Sequence, residues 1–97
     1  MQTIEMERNH LIPFFTRQNI SVESGKGVWV WDESGKKYLD FTAGWGVTSL
    51  GHAHPVITEA ISTQAGKIMQ GPNAGLTFSP ARAKLLGLLA NLLPAPL

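Results

Sequence analysis

The sequence contains no cysteine, so it has no disulfide, no thiolate metal ligand and no cysteine nucleophile. It also lacks a long hydrophobic run, because its most apolar stretch, residues 85–93, is about half as long as a membrane span requires. The first residues include Glu5 and Glu7 and no apolar run, which is unlike a signal peptide. Together these absences favour a cytoplasmic location.

Charged residues are scarce as well. They make up 15% of the 97 residues, and the net charge is +1, whereas about a quarter of the residues of an average protein are charged. No part of the sequence is strongly basic, which argues against nucleic acid or a membrane surface as the main partner. With few solvating groups and a hydrophobic share of 43%, this small chain is expected to lie against a larger structure.

Residues 1–19 predict an N-terminal arm. Pro13 interrupts any helix there, and the arm carries too many apolar side chains for a free tail: Met6, Leu11, Ile12, Phe14 and Phe15. Such an arm packs either on the body of its own chain or on a partner subunit, and the sequence favours neither alternative.

Residues 20–42 predict an antiparallel meander of three strands. Apolar and polar residues alternate from Ile20, and the Val-Trp-Val-Trp run at 28–31 consists of good strand formers. Two turns are predicted, Gly25–Gly27 and Asp32–Lys36, the second with Gly35 at positive φ. The alternation also places Trp29 and Trp31 on the same face of the sheet.

Two helices are predicted after the meander, over residues 55–70 and 79–93. Pro55 suits the first position of the first helix, and Gly66 weakens that helix. Ser79 and Pro80 are the predicted N-cap and first residue of the second helix. The second helix has a leucine stripe that includes Leu85, Leu88, Leu89 and Leu92. The expected fold class is therefore α+β, a three-stranded meander followed by two helices.

The segment of residues 43–54 connects the meander to the helices. It contains glycines at 44, 46 and 51 and one large aromatic residue, Trp45. Glycine lets the backbone approach another surface or a ligand closely, and ordinary turn chemistry does not explain a tryptophan held between two glycines. We therefore expect the rest of the chain to be organised around this segment.

Few residues of this sequence are candidates for catalysis. His52 and His54 have the spacing of a metal-binding pair on a strand, but no third ligand is near, so we expect no metal and a histidine that hydrogen-bonds the backbone at the helix entry. The acidic residues, Asp32, Glu33 and Asp40 among them, show no pairing for acid–base chemistry. A Schiff-base lysine must be desolvated, and none is expected among Lys26, Lys36, Lys37, Lys67 and Lys84.

A string of motifs resembles one family. The run Trp-Asp-Glu-Ser-Gly-Lys-Lys-Tyr-Leu-Asp-Phe at 31–41, then Ala43-Gly44, then Leu-Gly-His-Ala-His-Pro at 50–55 with Gln64 downstream, resembles the N-terminal segment of class III aminotransferases. These are the pyridoxal-phosphate enzymes of the acetylornithine, ornithine and 4-aminobutyrate type. The resemblance covers roughly residues 20–93. It implies that residues 20–97 form the N-terminal segment of a fold-type I enzyme, with residues 43–54 as its active-site turn.

The resemblance also implies roles for individual residues. The position of Trp45 lines the substrate pocket in the family, and Leu76 falls where ornithine-type members have a tyrosine that contacts substrate. Leucine donates no hydrogen bond, so recognition of the ornithine type is not expected. The implied cofactor is pyridoxal phosphate, and the implied partners are the remainder of the enzyme chain, a second subunit in a homodimer, and a small-molecule amino donor and oxo acid.

Some family features have no counterpart in the 97 residues. These are the segment that binds the cofactor phosphate, the aspartate that holds the pyridine nitrogen, and the Schiff-base lysine, so we expect no catalytic and no cofactor-binding residue here and an inactive isolated chain. The alternative is a non-catalytic truncated module that self-associates through its leucine-rich helix. A further alternative is a small ligand-binding domain built around Gly44-Trp45-Gly46.

Overall fold

The computed structural model describes residues 2–72 and 75–95, and the chain forms two compact units, Met1–Ala60 and Ile61–Leu97. The first unit contains a helix, a small sheet and a one-turn segment: α1 (Gln2–His10), β1 (Val22–Lys26), β2 (Trp29–Asp32), β3 (Lys37–Leu39) and α2 (Ala43–Gly46). Helix α3 (Pro55–Ala65) crosses the boundary between the units, and α4 (Pro80–Leu92) belongs to the second.

The sheet is the predicted meander. Its three strands follow the order β1-β2-β3, and both neighbouring pairs are antiparallel. Val30 lies at its centre, opposite Gly25 of β1 on one side and Tyr38 of β3 on the other. Trp29 and Trp31 share one face of the sheet, as predicted, because the Lys37 Nζ lies 4.0 Å from the ring centroid of Trp29 and 5.6 Å from that of Trp31.

The prediction of a turn at Gly25–Gly27 is wrong in detail. Gly25 and Lys26 belong to β1, and the chain reverses at Gly27 and Val28, between the paired residues Lys26 and Trp29. Gly27 has the positive φ, 60°, that this tight reversal needs. Gly25 serves a different purpose: a Cβ there would lie 2.7 Å from the Cβ of His52. It is the residue that allows His52 to approach the sheet.

The second turn is built around a buried carboxylate. The side chain of Asp32, which is only 4% exposed, accepts hydrogen bonds from the Ser34 hydroxyl (2.6 Å), the Ser34 and Lys36 amides (2.9 and 3.0 Å) and the Tyr38 hydroxyl (2.8 Å). These donors, the Ser34 hydroxyl foremost, lower the pKa of Asp32 to about 2. Gly35 has a φ of 83°, which confirms the prediction of its positive φ.

The N-terminal arm begins with a helix that the sequence did not predict. A hydrogen bond joins this helix to the meander, because the hydroxyl of Thr3 donates to the Glu33 carboxylate at 2.6 Å. Phe14 and Phe15, farther along the arm, are both mostly exposed. The arm therefore touches its own chain through a hydrogen bond, and its largest apolar side chains contribute little to that contact.

The long helices begin where the sequence predicts and end earlier. Helix α3 ends at Ala65 rather than at residue 70, because Gly66 is a poor helix former. Ser79, with the extended backbone of an N-cap, accepts a hydrogen bond from the Arg82 amide at 3.4 Å, which confirms its predicted role. Helix α4 ends at Leu92, and Leu93 is its C-cap.

No hydrophobic side chain is buried among the residues that the structure describes, and Asp32 is the one buried residue there. The leucine stripe of α4 is exposed along its length (Leu85, Leu88, Leu89 and Leu92). Within the described ranges, no helix has the length and apolarity needed to cross a bilayer. Backbone pairing and the hydrogen bonds of a few polar side chains therefore order the first unit, rather than a packed apolar core.

Candidate functional site

The predicted functional segment begins with a turn of left-handed helix. Four consecutive residues have positive φ: Ala43 (48°), Gly44 (55°), Trp45 (63°) and Gly46 (82°). A left-handed conformation costs about 1–2 kcal/mol for each residue that carries a Cβ. Because Ala43 and Trp45 both carry one, α2 holds strain that only its surroundings can maintain.

Trp45, the third residue of this turn, is 99% exposed. An exposed indole gains nothing from the hydrophobic effect, since its full apolar area remains in contact with water. Strained non-glycine residues are concentrated at ligand-binding and catalytic sites. The combination of strain and exposure makes Trp45 the strongest candidate in the described chain for contact with a substrate or with another protein surface.

Asp40 fixes the start of the turn. Its Oδ1 accepts hydrogen bonds from the Thr42 amide (2.8 Å), the Thr42 hydroxyl (2.8 Å) and the Ala43 amide (3.0 Å). Its amide donates to the carbonyl of Val28 at 2.8 Å, which ties the same residue to the sheet. The Thr42 hydroxyl, followed by His52, lowers the pKa of Asp40 to about 2, so the group is ionised at neutral pH.

His52 is the second support of the turn. Its Nε2 lies 2.6 Å from Asp40 Oδ2, and because an ionised carboxylate only accepts hydrogen bonds, Nε2 carries the proton. The backbone of His52 pairs with Gly27 in both directions, at 3.0 and 2.8 Å. Gly51 makes this pairing possible, since a Cβ there would lie 3.1 Å from the Gly27 Cα. The end of the segment is thus docked on the hairpin.

His54 has the role predicted for one of the two histidines. Its Nδ1 accepts a hydrogen bond from the Val56 amide at 3.2 Å, at the entry to α3. Residues 2–72 and 75–95 contain no group of three histidine, aspartate or glutamate side chains arranged to hold a metal ion. The rings of the two histidines have different partners, the Asp40 carboxylate for His52 and the Val56 amide for His54.

The two predicted substrate-binding residues lie in different units. Trp45 belongs to the first, and Leu76 belongs to the second. Leu76 is also mostly exposed, and its amide donates to the Pro72 carbonyl at 3.2 Å. Asn73 and Ala74, which lie between Pro72 and Leu76 in the sequence, are outside the described residues.

The sequence did not predict the pairing of Asp40 with His52. The two are separated by 12 positions, and no short motif couples an aspartate to a histidine at that distance. One local signal was present: Asp40-Phe41-Thr42 repeats the Asp-x-Ser/Thr pattern of Asp32-Glu33-Ser34, which favours a carboxylate that caps a turn.

The lysines do not fit a covalent bond to a cofactor. Lys36 and Lys37 lie over aromatic rings of the sheet, and Lys36 Nζ is 5.1 Å from the Tyr38 ring centroid. All five lysines are exposed (Lys26, Lys36, Lys37, Lys67 and Lys84), whereas a Schiff-base lysine is desolvated so that its amine is neutral.

Known proteins match this chain over nearly its whole length. The family described as "Aminotransferase class-III" matches residues 15–95. Acetylornithine aminotransferase of Agrobacterium fabrum is 52% identical over 75 residues, which are 77% of this chain and 18% of that protein. The chain thus spans about a fifth of the length of the curated relatives that it matches.

Solved structures of two enzymes have the same fold in the matching region. The crystal structure of acetylornithine aminotransferase from Elizabethkingia anophelis is 33% identical, with a TM-score of 0.78, and the match covers 91% of this chain and 24% of that one. The thermostable (S)-enantioselective omega-transaminase from Thermomicrobium roseum is 30% identical, with a TM-score of 0.85, and the match covers 98% of this chain and 23% of that one.

Proposed function

This chain belongs to the class III aminotransferase family, and on that premise we propose that it acts as the N-terminal part of a pyridoxal-phosphate-dependent transaminase. The reaction would move an amino group from a donor of the acetylornithine, ornithine or 4-aminobutyrate class to a 2-oxo acid. Acetylornithine is the substrate named in the relative from A. fabrum, which makes that class the first to test.

The observation that carries the proposal is the exposed indole on a strained turn. Trp45 is 99% exposed at a φ of 63°, and a large apolar surface of this kind becomes favourable when a ligand or another part of the enzyme covers it. We assign to Trp45 the role of a pocket wall that selects donors by shape and apolar contact. Its indole has no acid–base function at neutral pH.

We assign the second substrate contact to Leu76. Its side chain is mostly exposed and contains only carbon and hydrogen, so it can pack against the aliphatic part of a donor but offers no hydrogen bond. A donor whose recognition depends on a hydrogen bond at this position would therefore bind poorly.

The cofactor would be held by other parts of the enzyme. Pyridoxal phosphate, when bound, supplies the electron sink for amino transfer, and the exposed lysines of this chain are unsuited to anchor it. The role left to these residues is to bind and orient the donor. The exposed apolar faces of the arm and of α4 suit burial against the remainder of the enzyme and against a second subunit in a homodimer.

The leucine stripe of α4 does not favour self-association as a separate function. Exposed leucines on one helix face are equally expected for a helix covered by the rest of an enzyme. We therefore do not propose the non-catalytic module.

A chimeric enzyme tests the proposal. Residues 15–95 replace the matching segment of the A. fabrum acetylornithine aminotransferase, and the purified chimera is assayed with several amino donors. We expect transamination by the chimera and none by the 97-residue chain alone. A folded chimera that retains the cofactor but transfers no amino group would contradict the proposal.

Trp45→Ala in the chimera tests the residue assignment. We expect the ratio of kcat/KM between a bulky and a small donor to change, while the cofactor content stays the same. Trp29→Ala is the matched control, because it removes the same side chain from the sheet. An equal loss for every donor after Trp45→Ala would show that the indole does not select substrates.

A further inference from the structure

We infer that Asp40 and His52 are positioning residues that set donor preference by holding the Trp45 indole in place. Neither side chain needs to touch the substrate for this role. The inference rests on the proposed role of Trp45 as a pocket wall, and it adds the two side chains that determine the position of the indole.

A continuous chain of hydrogen bonds leads from the sheet to the start of the turn that carries Trp45. The backbone of His52 is paired with Gly27 of the hairpin at 3.0 and 2.8 Å. His52 Nε2 then donates to Asp40 Oδ2 at 2.6 Å, and Asp40 Oδ1 accepts from the Ala43 amide at 3.0 Å. Ala43 is the first residue of the left-handed turn that contains Trp45. Each link is a hydrogen bond to a defined atom, so the position of the turn is tied to that of the sheet.

The strain of the turn explains why such a support is required. Ala43 and Trp45 have φ values of 48° and 63°, and each would gain about 1–2 kcal/mol on returning to a right-handed or extended conformation. A change of φ at either residue would redirect the indole. The three hydrogen bonds to Asp40 Oδ1 hold Thr42 and Ala43 in the conformation that starts the turn.

The geometry also explains two glycines on the sheet side. The imidazole of His52 occupies the space that a side chain at position 25 would fill, with 2.8 Å between a Cβ there and His52 Cγ. Gly51 lies against the Gly27 backbone at a φ of 87°. The close approach of His52 to the hairpin thus depends on Gly25 and Gly51. Neither glycine needs to contact a substrate for this role.

Paired substitutions in the chimera test this role. Asp40→Leu removes all acceptors, whereas Asp40→Asn retains an oxygen for the Thr42 and Ala43 amides. His52→Phe keeps a ring beside Gly25 but loses the N–H donor, whereas His52→Gln keeps a donor. For Asp40→Leu and His52→Phe we expect roughly a tenfold to hundredfold loss of kcat/KM for the preferred donor, the scale of an ångström misplacement, and partial rescue in the conservative variants.

A double-substitution cycle separates positioning from general damage. If Asp40 acts through Trp45, Asp40→Leu added to Trp45→Ala changes the donor ratio no further, because the group that it positions is already absent. Additive changes, or an equal loss for all donors in Asp40→Leu, would overturn the inference. Asp32→Leu is the matched control, since it removes a similar carboxylate cap and is expected to lower stability without changing the donor ratio.

The ring environment gives a readout independent of activity. In chimera labelled with fluorotryptophan, the resonance of Trp45 is the one lost in Trp45→Phe. We expect it to shift or broaden in Asp40→Leu and His52→Phe and to stay in place in Asp32→Leu. If this resonance responds as expected but Trp45→Ala leaves the donor ratio unchanged, the pocket role of Trp45 fails. If the resonance does not respond to Asp40→Leu, the positioning role fails.

Discussion

Two turns in the first unit are capped by an aspartate in the same way, but the backbone after each cap takes a different conformation. In each, an aspartate Oδ1 accepts from the amide and the hydroxyl of the residue two positions later, Ser34 for Asp32 and Thr42 for Asp40. In each, Oδ2 accepts a hydrogen bond from a cyclic side chain, the Tyr38 hydroxyl for Asp32 and His52 Nε2 for Asp40. The first cap closes a hairpin, and the second begins a left-handed turn.

The difference lies in the residues that have positive φ. After Asp32, Gly35 adopts a φ of 83° without strain, the partner Tyr38 is local, and the carboxylate is buried. After Asp40, Ala43 and Trp45 adopt left-handed conformations, the partner His52 is remote, and an indole is fully exposed. The partners of the Asp32 carboxylate are all local, whereas the Asp40 carboxylate also needs the remote His52 to support a turn whose indole makes no folding contact.

Breaking the tertiary support should have the largest effect. Gly51→Ala places a Cβ 3.1 Å from the Gly27 Cα at a φ of 87°, so both crowding and backbone strain oppose it, at a cost of about 2–3 kcal/mol. Hydrogen exchange of the chain should accelerate at the Thr48 amide, which donates to Ala43 in the Asp40 turn, and remain slow at the Lys36 amide.

Gly27→Ala provides the control for Gly51→Ala. Gly27 has a similar positive φ, 60°, but a Cβ there meets nothing within 4 Å. It should cost only the strain, about 1 kcal/mol. Equal acceleration at Thr48 and Lys36 in Gly51→Ala would show that the two turns are not independent.

Exchanging the residue types at positive φ should have a smaller effect. Gly35→Ala introduces strain into the Asp32 turn and should destabilise it by about 1 kcal/mol. Ala43→Gly removes strain from the Asp40 turn, but it also adds freedom to the unfolded chain, so it should be neutral or stabilising by less than about 1 kcal/mol. The free energy of unfolding, measured by denaturation, should fall in Gly35→Ala and should not fall in Ala43→Gly. An equal decrease in both variants would show that strain does not distinguish the turns.

The sequence predicted the elements that depend on local chemistry. The alternation around Trp29 and Trp31, the positive φ of Gly35 and the N-cap Ser79 all follow from neighbouring residues, and the structure confirms them. The glycines and Trp45 also predicted a functional role for residues 43–54. The involvement of this segment with a substrate stays a prediction, as does that of Leu76.

The features that the sequence did not predict depend on distant contacts. Glycine is a common turn residue, so the sequence places Gly25 in a turn. Only the position of His52 shows that Gly25 belongs to a strand and leaves room for the ring. The partner of Asp40 is likewise set by the docking of His52 on Gly27, which no periodicity encodes. Left-handed φ at Ala43 and Trp45 could not be predicted, because neither residue type favours it.

Protonation of the two carboxylates should have the smallest effect, because both stay ionised at neutral pH and are protonated only in strong acid. The pKa of Asp32 and that of Asp40 are both lowered to about 2, below the value of about 3.9 expected in the unfolded chain. A lowered pKa means that each carboxylate stabilises its turn above about pH 4, and that this contribution disappears as the pH falls through about 2.

Carboxyl carbon chemical shifts in the chain, followed by NMR, should show both midpoints. In His52→Phe, the midpoint of Asp40 should rise, since His52 is its second donor after the Thr42 hydroxyl, while that of Asp32 stays. If both midpoints moved together, the two caps would be coupled, and the separation of a local turn from a tertiary one would be wrong.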